Sequence, residues 1–139
     1  MKLNSNSGGF TLIEILLVIT IIGILAAVVL PRLTGRSEEA RVNSVRLQIE
    51  NISVALDTFE MDNKRFPSTS EGISALRTAP QNMNNWKGPY LKKDINNDPW
   101  GHPYLYRSPG LHNKDYDLLS AGPDGAEGGS DDITSWESK

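Results

Sequence analysis

The sequence predicts an α+β chain: a long N-terminal helix, membrane-spanning in its first half and amphipathic in its second, packed on a small antiparallel sheet. Three observations predict it. Phe10 to Leu30, FTLIEILLVITIIGILAAVVL, is an apolar run whose one charged residue is Glu14. From Glu38 to Met61 apolar residues return at spacings of three and four, the period of a helix with one buried face. Beyond Pro67, short apolar runs alternate with Asn, Pro and Gly turns, the pattern of short paired strands.

At about 1.5 Å per residue the first run makes a helix of roughly 31 Å, close to the thickness of a bilayer's hydrocarbon core. Ahead of it lies a polar leader, MKLNSNSGG, with one lysine, Lys2, and the small pair Gly8-Gly9. A signal peptide carries its small-residue cleavage site after the apolar core. Here the small residues come first, so a cut after Gly9 would release the leader and keep the stem. An unpaired carboxylate in hydrocarbon is costly, which makes Glu14 a functional suspect. Its natural partner is the α-amine that the same cut creates on Phe10 of a neighbouring subunit, a pair that would fix axial register in an assembly. Close to the helix start it could equally snorkel to the membrane surface. The residues alone leave these two readings level. Arg32, Arg36, Arg41 and Arg46 follow the run and only Lys2 precedes it, so a positive-inside count would put the N-terminus outside.

Pro31 removes one helical hydrogen bond and is expected to bend the axis, and Leu33-Thr34-Gly35-Arg36 weakens helix further. Ser37, ahead of Glu38-Glu39, is a candidate N-cap for a restart, giving an amphipathic helix over about 37–61. Val42, Val45, Ile49, Ile52, Leu56 and Phe59 form its inner stripe, and Leu47 and Val54 a thinner outer line that would face other subunits. A dimeric coiled coil is the other reading of this stripe, but under four heptads followed by strand-like sequence argue for packing within one domain. Asn63 and Pro67 stop the helix. Ser70-Glu71-Gly72 is expected to cap a short helix over about 70–78. Extended stretches are expected at 89–92, 103–107 and 116–120, with Trp86 and Trp100 closing the core beside the turns.

The chain has 139 residues, a sequence pI near 5.3 and no cysteine, so no disulfide holds it. From Asp115 onward it carries seven carboxylates and one lysine, whereas the residues before carry thirteen cations and ten carboxylates. Carboxylates crowded into a glycine-rich loop repel unless a cation sits among them. Ser120 to Asp132, SAGPDGAEGGSDD, offers Asp124, Asp131, Asp132 and the main-chain oxygens of an irregular backbone. These are hard donors suited to calcium, with no nitrogen or sulfur set for zinc. The spacing is not that of an EF-hand, and on composition alone a solvated acidic loop is the commoner case. His102 and His112 lie ten apart in turns, with no nucleophile, HExxH pair or phosphate loop beside them. Catalysis is not expected, and the acidic balance argues against nucleic acid.

Gly9 followed by FTLIEILLVITIIGILAAVVLP resembles the class III leader of type IV pilins and type II secretion pseudopilins. NKRFP, SEGISAL, DPWG and the GPDG…DD tail extend the resemblance to the major pseudopilins of type II secretion over nearly the whole chain. The resemblance implies a type IV pilin-like fold with a calcium-binding C-terminal loop. It implies that a prepilin peptidase cuts after Gly9 on the cytoplasmic side and methylates Phe10, and that Glu14 is the family's assembly glutamate. The leader is then cytoplasmic, against the arginine count. The parts become a leader (1–9), a transmembrane and assembly helix (10–30) and a periplasmic head (31–139), whose sheet and calcium loop occupy about 89–136. The implied ligands are Asp124 and Asp131, with Asp132 adjacent, and main-chain oxygens of Ala121 and Ala126. Where the family often has a serine two residues before the paired aspartates this chain has Gly129, with Ser130 one place later, and the remaining ligand stays open. The implied function is a single-pass inner-membrane subunit that polymerises with its own copies into a periplasmic pseudopilus, alongside minor pseudopilins and inner-membrane secretion components. That filament drives export of folded proteins across the outer membrane. A type IV pilin of a surface fibre and a singly anchored periplasmic binding domain are the alternatives.

Overall fold

The computed structural model describes residues 9–137 except Asn96, and the side chains of residues 28–36 lie outside the described set. The leader up to Gly8, Lys2 and Lys139 therefore fall outside it, as do the side chains of Pro31 and of the last three residues of the apolar run. Helix α1 (Leu12–Asn63) is followed by a single 3-10 turn (Ile73–Leu76) and strands β1 (Leu105–Arg107), β2 (Asp117–Ser120) and β3 (Ile133–Thr134). The chain divides into two compact units, residues 1–39 and 40–139.

In the first unit Thr11 caps α1. The Glu14 amide donates to Thr11 Oγ1 at 3.3 Å, and the Thr11 amide donates back to Glu14 Oε2 at 3.5 Å. This reciprocal capping box satisfies two of the amides a helix start leaves over. It gives Glu14 a local task that the opening reading did not assign. Apolar side chains from Phe10 to Leu25 are exposed around the whole circumference. Among the described residues no helix is long and apolar enough to cross a membrane.

Helical hydrogen bonding continues through Pro31 to Asn63, so the expected interruption before a restart at Ser37 is not present and Ser37 is not an N-cap. A proline deletes one donor from the ladder, and the many bonds on either side keep the segment helical.

In the second unit the inner stripe is as expected. Val45, Ile49, Ile52, Leu56 and Phe59 are buried together with Ala55, Leu76, Leu118 and Ile133, and Val42 packs at the margin. Leu47 and Val54 are exposed, and Met61, seven residues further on, extends their line. Trp86 and Trp100 pack against the core, Trp86 Nε1 donating to the Ala75 carbonyl at 2.9 Å.

The sheet has the order β1-β2-β3 and is antiparallel, with Leu105 opposite Leu119 and Ser120 opposite Ile133. Two expectations are corrected. Residues 89–92 form no strand: Pro89 has no amide to offer a neighbour, and the Tyr90 amide bonds Leu76 O while its ring packs edge-on against Phe59 and Trp86. The third strand is instead β3, inside the acidic tail. The helix expected over 70–78 is only the 3-10 turn, with Gly72 at its N-terminus and no side-chain cap. Glu71, read as a cap, bridges Arg65 at 2.6 Å and accepts the Ser68 amide. The Arg65 guanidinium, followed by these Ser68 bonds, holds its carboxyl at about 2 against the penalty of burial.

Candidate functional site

The acidic loop joins β2 to β3, and its first residues are pinned from three sides. Ser120 is fully buried and its hydroxyl donates to Asp98 Oδ2 at 2.6 Å. The other Asp98 oxygen accepts the amides of Trp100 and His102, so DPWG is a turn wound round its own aspartate. His102 Nδ1 donates to the Gly122 carbonyl at 2.9 Å, and its ring lies where a Cβ on Gly125 would collide with it. Gly122 and Gly125 both have φ near +60 to +70°, the left-handed region glycine enters without strain. On the far side Arg107 reaches Glu127 at 3.4 Å across an exposed surface.

Of the expected ligands, the structure brings Asp124 and Asp131 to one spot. The Asp124 amide donates to Asp131 Oδ2 at 3.4 Å, and Asp124 Oδ1 accepts the Ala126 amide at 2.8 Å. A Cβ on Gly129 would overlap Asp131 Oδ1 and come within 3.6 Å of Asp124 Oδ2. The glycine that departs from the family's pattern is therefore the residue that leaves room for the Asp131 carboxylate, with Asp124 at ordinary contact distance beside it. Asp132 faces elsewhere: its Oδ2 accepts the Gly128 amide at 2.7 Å, and its Oδ1 is buried without a hydrogen-bond partner. The Ala121 carbonyl accepts the Gly125 amide at 3.2 Å, which leaves its second lone pair. Among the described residues no group of three or more metal-ligating side chains converges on one point.

The donor set still fits a hard cation. Asp124 and Asp131 place two hard carboxylate oxygens on one side of Gly129, the donor type calcium takes, whereas the unpartnered Asp132 Oδ1 belongs to a separate spot. Asp132 also lines a cleft of about 500 Å³ between α1 and the tail, together with Arg46, Glu50 and Ser53.

The strongest polar centre in the unit was not singled out from the sequence. Asp117, fully buried at the start of β2, accepts the amides of Leu111, His112 and Asn113 at 2.7 to 3.0 Å and His112 Nδ1 at 3.0 Å. Burial pushes its carboxyl up, and these donors more than reverse that, to about 2. It holds the SPGLHNKD loop closed, and Gly110 sits so close that a Cβ would strike the carboxylate. His112 in turn lies flat against Trp136, ring centres 4.1 Å apart and planes 6° from parallel. A run of acceptor-seeking amides before a buried-strand aspartate was the available signal.

The family described as type II secretion system (T2SS), protein G matches residues 32–136, and the prokaryotic N-terminal methylation motif matches residues 4–30. The type II secretion system core protein G of Pseudomonas aeruginosa is 46% identical over 136 residues, covering 93% of this chain and 94% of that relative. Its counterpart in Escherichia coli K12 is 43% identical over 142 residues, covering 98% and 95%. The crystal structure of the major pseudopilin from the type 2 secretion system of enterohaemorrhagic Escherichia coli aligns with a TM-score of 0.64 at 33% identity, covering 76% of this chain and 95% of that one.

Proposed function

The chain belongs to the protein G family of type II secretion systems, the major pseudopilins, and from that membership we propose how its parts serve the pseudopilus. It is a pseudopilus subunit of type II secretion, and the observation that carries this is the continuity of the match, methylation motif followed by head across residues 4–136. Its role is structural. The leader is removed after Gly9 and Phe10 becomes the methylated N-terminus, as the matched motif supports. The stem at 10–30 resides in the inner membrane with the head in the periplasm until subunits assemble, with minor pseudopilins and inner-membrane components of the machine as partners. The exposed apolar side chains of the stem support this, since they need either lipid or sister stems around them. Glu14 caps its own helix through one long hydrogen bond, which leaves acceptor capacity for the Phe10 amine of a neighbouring copy.

The acidic loop is read as a calcium site held by Asp124 and Asp131, with Asp132 and the carbonyls of Ala121 and Ala126 as further oxygens. A bound divalent cation would neutralise their mutual repulsion and close the loop. The chain's own part is to fix the loop's entry through Asp98, Ser120 and His102 and to keep Gly129 free of a side chain. The test is electron microscopy of cells overexpressing the wild type or Glu14→Ala, with and without a chelator. Filaments are expected from the wild type in calcium alone. Filaments from Glu14→Ala as abundant as those of the wild type would refute the role given to Glu14, and filaments indifferent to chelator would refute the role given to the loop.

A further inference from the structure

We infer that Trp136, seated on His112, is the latch that holds the exit of the acidic loop, so that calcium affinity depends on a residue that donates no ligand. The inference rests on the calcium reading above. The loop's entry is fastened by several buried side chains, whereas its exit has one, Ile133, on a strand of two residues paired to Leu119 and Ser120. Past β3 the Ser135 amide donates to Leu118 O at 2.8 Å, and Ser135 Oγ accepts the Leu118 amide at 3.2 Å. Trp136 comes next, its indole parallel to the His112 imidazole. That imidazole is not free to drift, because its Nδ1 and its backbone amide both bond the buried Asp117 carboxylate at 3.0 Å. A buried acid thus orients an imidazole, and the imidazole offers a flat seat to the last aromatic residue of the chain. His112 itself is half exposed, so the indole lies on a surface ledge and fills no core cavity.

Drawing carboxylates together requires closing the loop that bears them, and closure is less costly when both ends are already fixed. With the latch seated, the ends at Ser120 and Ile133 are neighbours before any ion arrives. With it released, binding must also order the tail. Aromatic stacks of this kind correspond to about a three- to tenfold change in an equilibrium constant, and the same change is expected in calcium affinity.

The experiment uses the full chain in nonionic detergent micelles. Calcium chloride is titrated by calorimetry into the wild type, Trp136→Ala, Trp136→Phe and His112→Ala. Hydrogen exchange at residues 133–137 is followed in the same proteins in EGTA. Trp136→Ala and His112→Ala are expected to weaken calcium binding about three- to tenfold and to speed tail exchange without metal, while β1 and α1 amides are unaffected. Trp136→Phe, which can still stack, is expected to recover most of both. Faster tail exchange with unchanged calcium affinity would overturn the coupling, and unchanged exchange would overturn the latch itself. Absence of calcium uptake by the wild type would overturn the metal reading and the coupling with it, and the exchange arm would still decide whether Trp136 holds the tail.

Discussion

Replacing Asp117 by Asn keeps the shape of a fully buried side chain and removes its charge. In the native protein that carboxylate collects three backbone amides and the His112 ring, which lowers its pKa from 3.8 to about 2. One pKa unit corresponds to about 1.4 kcal/mol, so ionisation of this one group stabilises the fold by about 2 kcal/mol at neutral pH. The sign follows from the direction of the shift. A carboxyl that binds its proton less readily folded than unfolded contributes fully above pH about 4 and loses that contribution as pH falls through about 2. The asparagine variant gives up this term, and its amide group also confronts donors with a donor, so the expected loss at pH 7 is about 2–4 kcal/mol. The assay is urea unfolding of the full chain in detergent micelles, followed by tryptophan fluorescence, at pH 7 and at steps from pH 4.5 to 2. The wild type should lose about 2 kcal/mol across that acid window more than Asp117→Asn does. Identical pH dependence in the two proteins would refute the assignment of the acid response to this carboxylate.

Added calcium is expected to raise the thermal midpoint of the wild type, measured by circular dichroism, and Asp124→Ala to abolish that rise; a preserved rise removes Asp124 from the site. Gly129→Ala should weaken calcium binding in a calorimetric titration, because the added methyl displaces the Asp131 carboxylate, and an unchanged affinity would show that the loop accommodates it. Phe59→Ala empties a fully buried position against Tyr90 and should cost about 3–5 kcal/mol in urea unfolding. Loss of under about 1 kcal/mol would mean that the core collapses onto the gap.

Much of the architecture was legible because burial leaves a periodic trace. The stripe from Val45 to Phe59 repeats at helical spacing and is the buried face, and the outer line of Leu47 and Val54 is indeed uncovered. Pro31 misled because a single proline is a strong local signal, whereas the hydrogen bonds that carry α1 past it are spread over many residues. Pro89 to Lys92 read as a strand because a short run containing Tyr lies between turn residues; the packing of the Tyr90 ring onto Phe59 and the Tyr90 amide's bond to Leu76 are tertiary facts that no window of sequence contains. In the acidic loop composition marked Asp124, Asp131 and Asp132 alike; the first two fall together, while Asp132 turns its oxygens toward Gly128 and the cleft. Asp117 was counted among tail charges, and its real work depends on amides of three residues that precede it in sequence and fold back over it. Thr11 and Glu14 are a capping box in plain spelling, set in apolar surroundings where the cost of a buried charge is the stronger signal.

The sheet's outer strands are very short: β1 has three residues and β3 two. Such stubs present few free amides and carbonyls, too few for a foreign strand to add itself by main-chain pairing. A protein that must polymerise at high local concentration is thereby shielded from runaway growth along its sheet. Its ordered growth falls to side-chain surfaces, where a single substitution can tune contact without opening a route to amyloid.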